Sequence, residues 1–98
     1  MYIVMNRFTL TEGRNVEFEG RWKQRTSHLK GQPGFKRFRL LKLDDTHYSS
    51  YAEWESESAF DAWTKSEAFR LAHGNPVPRE LFSGPPRLEC WTVILDEA

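Results

Sequence analysis

The sequence predicts one α+β domain: an antiparallel four-stranded sheet with two helices packed on one face. Three observations predict it. Four segments read as strands, with apolar residues sharing a face at every second position. Two others repeat apolar residues at spacings of three and four, and the order along the chain is β-α-β-β-α-β. Ninety-eight residues (1–98) make a single domain, because two halves would each hold a core too small to stand alone.

"YIVMNRFTL" opens as a strand, with Val4, Asn6, Phe8 and Leu10 on one face and Ile3, Met5 and Arg7 on the other. "EGRN" breaks it. From Val16 to about Lys30 the period becomes helical, as Phe18, Trp22, Arg25 and Leu29 recur at four, three and four; Asn15 is the expected N-cap and Gly31 the expected stop. After the turn "QPG" come a second strand "FKRFRLLKL", a hairpin turn "DDT" and a third strand "HYSSYAEWE". Ser56 or Ser58 can cap a helix that begins near Ala59 and carries Phe60 and Trp63. Ser66 can cap again, which predicts a kink or two short helices ending at Gly74. "NPVPRELFSGPP" holds four of the five prolines and reads as a loop, and "RLECWTVIL" closes the chain as a fourth strand.

This order is the signature of the ferredoxin-like fold. Its helices cover one face of the sheet, and the other also carries apolar residues, Ile3 and Met5 among them, expected to be exposed there. A second copy packing sheet to sheet is the simplest cover, so a homodimer is expected.

Composition narrows the function. Lysine plus arginine and aspartate plus glutamate number 14 each, which argues against bulk electrostatic capture of nucleic acid or an anionic membrane. Cys90 is the only cysteine, so no internal disulfide forms and a reducing compartment fits. No segment approaches the ~20 apolar residues of a membrane helix, and the start lacks a basic leader region; a cytoplasmic protein is expected. Four tryptophans exceed what so small a core absorbs easily, so some are expected at a pocket or subunit interface.

Three residues stand out. Asn6 is a carboxamide in phase with apolar neighbours; it is either a structural amide bonded to nearby backbone or a donor for a ligand. His73 lies at a helix C-terminus, where an imidazole suits the dipole. Phe69 one turn back and the small Ala68 and Ala72 also make it an imidazole on an apolar wall, which is what a porphyrin iron needs. No second donor lies at zinc-ligand spacing. Trp63, ten residues earlier, falls about 80° around and roughly 15 Å along a straight helix from His73. A flat ring fits such a gap, and so does the plainer reading that Trp63 is core. His28 and His47 have polar neighbours, and there is no nucleophile elbow, phosphate loop or paired cysteine.

Taken together, these segments resemble the IsdG-type haem-degrading monooxygenases of the antibiotic biosynthesis monooxygenase superfamily. The resemblance runs through "NRF", "EGRWKQR", "PGF", "WESESAFDAWTKSEAFRLAH" and the aromatic last strand, nearly the whole chain. It implies a dimeric α+β barrel, with one haem per subunit between sheet and helices. His73 is then the proximal iron ligand, Asn6 hydrogen-bonds the distal ligand, and Trp63 presses on the macrocycle. Trp22 and Arg25 become pocket lining and propionate contact, or else a core ring and a solvated cation. The implied reaction cleaves haem, both substrate and cofactor, with O2 and electrons from a reductase or small external reductant, releasing iron. Two alternatives stand beside it: a cofactor-independent quinol or polyketide monooxygenase of the same superfamily, and a non-catalytic haem-binding module.

Overall fold

The computed structural model describes residues 1–74 and 77–98; Asn75 and Pro76, the start of the expected loop, lie outside the described residues. The elements are β1 (Tyr2–Thr9), α1 (Asn15–Gln24), β2 (Phe35–Asp44), β3 (His47–Trp54), α2 (Glu57–Thr64), α3 (Glu67–Ala72), a 3-10 turn (Arg79–Leu81) and β4 (Arg87–Thr92). All strand pairs are antiparallel in the order β2-β3-β1-β4, with each of the middle strands β3 and β1 paired on both sides. This is the predicted ferredoxin-like arrangement. No helix among the described residues is long and apolar enough to cross a membrane.

Alternation along β1 decides what each face buries. Tyr2, Val4 and Phe8 point toward the helices and join the hydrophobic clusters there. One cluster gathers Leu10, Phe18, Tyr48 and Leu81, with Phe8, Trp22, Leu40 and Phe82 around it. The second is built on Val4, Trp54 and Trp63, flanked by Phe60, Ala68 and Phe69. Most of their rings meet at tilted or edge-to-face angles, as for Phe18 on Tyr48 at 5.0 Å and Trp54 on Trp63 at 5.9 Å. Such pairs contribute about 0.5–1.5 kcal/mol each beyond area burial. The 3-10 turn Arg79–Leu81 places Leu81 at 0% exposure, and Leu10 bridges to Phe82 beside it. That turn therefore seals one end of the core.

Four expectations need correction. α1 stops at Gln24 rather than near Lys30, with Arg25 already extended at ψ 150°. The residues that follow, Thr26, Ser27 and His28, are poor helix formers, and Leu29 reaches the second cluster from irregular chain instead. Asn15 is the first helical residue, not the cap; Arg14 occupies the cap position without a side-chain hydrogen bond. The stretch from Trp63 to His73 is not one straight helix. It breaks at Lys65–Ser66, so the 80° and 15 Å geometry does not apply. Ile3 is 9% exposed although it lies on the face away from the helices, where it pairs with Glu53 and Trp91.

The break itself follows from capping. Ser56 accepts from the Ala59 amide at 3.1 Å to start α2, and Ser66 accepts from the Phe69 amide at 3.1 Å to start α3. Gly34, with φ +80°, passes so close to α2 that a Cβ there would lie 2.5 Å from the Ala59 Cβ. Only glycine fits this crossing, which sets where β2 and α2 meet.

Candidate functional site

The two clusters do not merge along the sheet. On β1, Val4 belongs to one and Phe8 to the other, and Asn6 lies between them on the same face. Its partner across β3 is Ser50, which likewise falls between Tyr48 of one cluster and Ala52 of the other. A polar rung thus separates two aromatic walls. Asn6 is half-buried, and among the described residues its carboxamide makes no hydrogen bond; only its backbone carbonyl accepts, from Ser49 Oγ at 3.3 Å. The structural-amide reading needed a side-chain partner, and none is present among those residues.

On the α2–α3 side, Trp63 is 7% exposed and packs between Trp54 and Phe69, the latter edge-on at 5.6 Å. Phe69 then stacks on His73 at 4.0 Å between ring centres. The rings of Trp63 and His73 are therefore joined through Phe69 and not through free space. His73 ends α3, exposed, with its backbone N–H on the Phe69 carbonyl at 3.1 Å and its ring Nδ1 2.9 Å from that same oxygen. A carbonyl oxygen only accepts. Neutral His73 therefore carries its proton on Nδ1, and the Nε2 lone pair is left free for a metal.

Trp22 and Arg25 lie on the α1 side. The Arg25 guanidinium sits 5.0 Å from the Trp22 ring and 4.6 Å from Phe38, whose rings stack at 5.4 Å. Burial pulls the Arg25 pKa down from its usual value, and its Nε is buried without a hydrogen-bond partner among the described residues. The two residues border a groove of about 370 Å³ that runs on past Leu40 to Lys42 and Tyr48. At its far end the Tyr48 hydroxyl donates to Glu19, a bond that holds the Glu19 carboxyl below the usual carboxylate range. This groove does not include His73. Trp22 was singled out from sequence but its partner Phe38 was not: the alternation that puts Phe38 in phase with Leu40 was the available signal, and Ser50 could have been found by pairing the third strand against Asn6.

Of the three residues singled out from sequence, Trp63 and His73 are brought together, with Phe69 between them. Asn6 stands on the sheet between the clusters, and no hydrogen bond among the described residues ties its side chain to either. His47, expected on the surface, is bound to Asp44 at 2.8 Å in the hairpin.

Fold and site define a class: a ferredoxin-like α+β domain with a polar rung on its sheet, two aromatic walls and an imidazole presented at a helix end. The chain belongs to the antibiotic biosynthesis monooxygenase family, whose model matches residues 1–75. A heme oxygenase (staphylobilin-producing) of Staphylococcus haemolyticus is 33% identical over 79 residues, 76% of this chain and 75% of that protein. The heme-degrader MhuD of Mycobacterium tuberculosis, solved with two hemes bound in its active site, matches with a TM-score of 0.80 at 27% identity, covering 100% of both chains. SnoaB, a cofactor-independent oxygenase of Streptomyces nogalater, matches with a TM-score of 0.74 at 26% identity over 97% of this chain and 94% of its own.

Proposed function

We propose that this chain is a haem-degrading monooxygenase: it binds haem and cleaves the porphyrin ring with O2 and electrons from an external donor, releasing iron. The observation that carries the reading is His73, exposed, whose Nδ1 is tied to the Phe69 carbonyl so that Nε2 keeps its lone pair for a metal. The residues present fit the group. An imidazole suits iron, two aromatic walls suit a flat apolar ring, and the Arg25 guanidinium at the groove suits a propionate carboxylate.

Each residue then has a role. His73 holds the iron from the helix side. Asn6 offers an amide N–H from the sheet, free of any competing side-chain partner among the described residues. Trp63 is packed against both Trp54 and Phe69, which suits a residue that presses on its ligand. Trp22 lines the α1 side. Haem supplies the iron that activates O2 and is itself the molecule oxidised, so the electrons come from a reductase or a small reductant. The working unit is one domain, 1–98, paired as a homodimer through the open sheet face, and its setting is the cytoplasm.

The deciding experiment is an absorbance titration of the protein with haem, followed by ascorbate. A His-ligated Soret band that decays to a bilin-like spectrum is expected. A band that persists after ascorbate marks a haem-binding module. No ligated band at all favours the cofactor-independent oxygenase reading, for which the likeness to SnoaB speaks.

A further inference from the structure

The aromatic ring of Phe69 packs edge-on with Trp63 at 5.6 Å and also meets the His73 imidazole at 4.0 Å with 32° between planes. The same residue supplies the carbonyl that binds Nδ1. Two contacts from one residue thus constrain one imidazole: the carbonyl selects which nitrogen carries the proton, and the ring restricts rotation about the Cβ–Cγ bond. Phe69 is held in turn. Its amide donates to Ser66 Oγ at 3.1 Å, and that hydroxyl donates to the Trp63 carbonyl at 2.7 Å. Ser66 therefore couples the end of the Trp63 helix to the start of the His73 helix. Without the stack, an exposed histidine at a helix end samples several rotamers and both neutral tautomers.

We propose that Phe69 is the positioning residue for His73, fixing it as the Nδ1–H tautomer in one ring orientation before any ligand arrives. The consequence for affinity rests on the haem-binding reading above; the tautomer claim does not. Pre-set ligands lose less freedom on binding, so the benefit appears as tighter association.

The test uses the haem-free full chain labelled with 15N at histidine. Wild type should show His73 as the Nδ1–H tautomer in neutral solution. Phe69→Leu keeps the carbonyl and much of the volume but removes the aromatic face; it should give a mixed or mainly Nε2–H population. Phe69→Tyr keeps the face and should restore the wild-type pattern. Ser66→Ala, which frees the Phe69 amide, should mix the tautomers from the other side of the link, so the test survives if Phe69→Leu folds poorly. In haem titrations, Phe69→Leu should bind about tenfold more weakly, a difference of roughly 1.4 kcal/mol. A wild-type protein with His73 as Nε2–H, or a folded Phe69→Leu with an unchanged tautomer, overturns the proposal. If the tautomers shift as expected but wild type takes up no haem, the positioning role stands and the haem reading falls.

Discussion

Removing the His73 imidazole tests the site at its smallest unit. His73→Ala should abolish the ligated Soret band and turnover while leaving the fold intact, because the side chain is exposed and its removal costs only the Nδ1 bond and one ring stack. A spectrum identical to wild type would move the assignment to His28 or His47. Asn6→Leu should keep the His-ligated spectrum and lose most of the degradation rate, since the aliphatic isostere cannot donate; an unchanged rate returns Asn6 to a structural role. Trp63 separates ring strain from packing. At 7% exposure, Trp63→Ala should cost about 3–5 kcal/mol, visible in the thermal midpoint. Its bound haem should also be flatter and degrade slowly even where the protein stays folded, with Trp63→Phe intermediate. A folded Trp63→Ala that degrades haem at the wild-type rate would sink the strain mechanism. Asn6 and His73 stood out in the sequence because each broke its local pattern, an amide among apolar residues and a lone imidazole, whereas Trp63 kept its pattern and stood out only through the family resemblance. The burial of Leu81 was not legible, since a leucine in a proline-rich loop breaks no pattern, and Phe69 was read only as apolar wall, not as a partner of the His73 ring.

Elements were readable where period and capping agreed. Of the caps offered at Ser56 or Ser58, Ser56 is the one made, and the Ser66 cap separates two short helices rather than kinking one. The end of α1 lies short of the expected Lys30 because Arg25 and Leu29 continue the helical spacing from extended and irregular chain: Arg25 stacks on Trp22 and Leu29 packs against the second cluster. Tertiary contacts recreated a period that local structure did not supply. The β2–β3 hairpin carries its own pH dependence. Asp44 accepts from the His47 ring and from the Thr46 amide, and these bonds take its pKa from 3.8 down to about 2. The native carboxyl binds its proton less tightly than the unfolded one, so ionised Asp44 stabilises the fold above about pH 4, and that contribution is lost as the pH falls toward 2. Asp44→Asn should therefore flatten the acid limb of the stability curve between pH 4 and 2 without changing its shape above pH 6. Superimposable acid limbs for the two proteins would show that the hairpin bonds do not contribute to folding.

At the scale of the whole molecule, the sidedness of the sheet followed from the sequence because alternation fixes which residues share a face. The separation into two clusters did not, since it depends on Asn6 and Ser50 meeting across β1 and β3, a long-range register. The open face shows how far the dimer expectation can be carried. Ile3 is covered within the chain, so it does not contribute the exposed patch first assigned to it. What remains apolar is Trp91 at 53% exposure, with Met5, Leu41 and Leu43 bordering a groove of about 490 Å³. The same face carries the Arg7–Glu89 ion pair at 2.9 Å and the Arg39 guanidinium over Tyr51. Such a mixed surface suits a partner that matches both apolar and charged positions, and a second copy turned about a two-fold axis supplies both. Light scattering at micromolar concentration should give twice the chain mass. Met5→Asp with Leu41→Asp would place two carboxylates per chain, four across the expected interface, and the double variant should run as a monomer by light scattering and stay folded by circular dichroism. Because His73, Phe69 and Trp63 are joined within one chain, that monomer should still give the His-ligated Soret band. A wild-type monomer would remove the dimer, and a double variant that stays dimeric would place the interface on another surface.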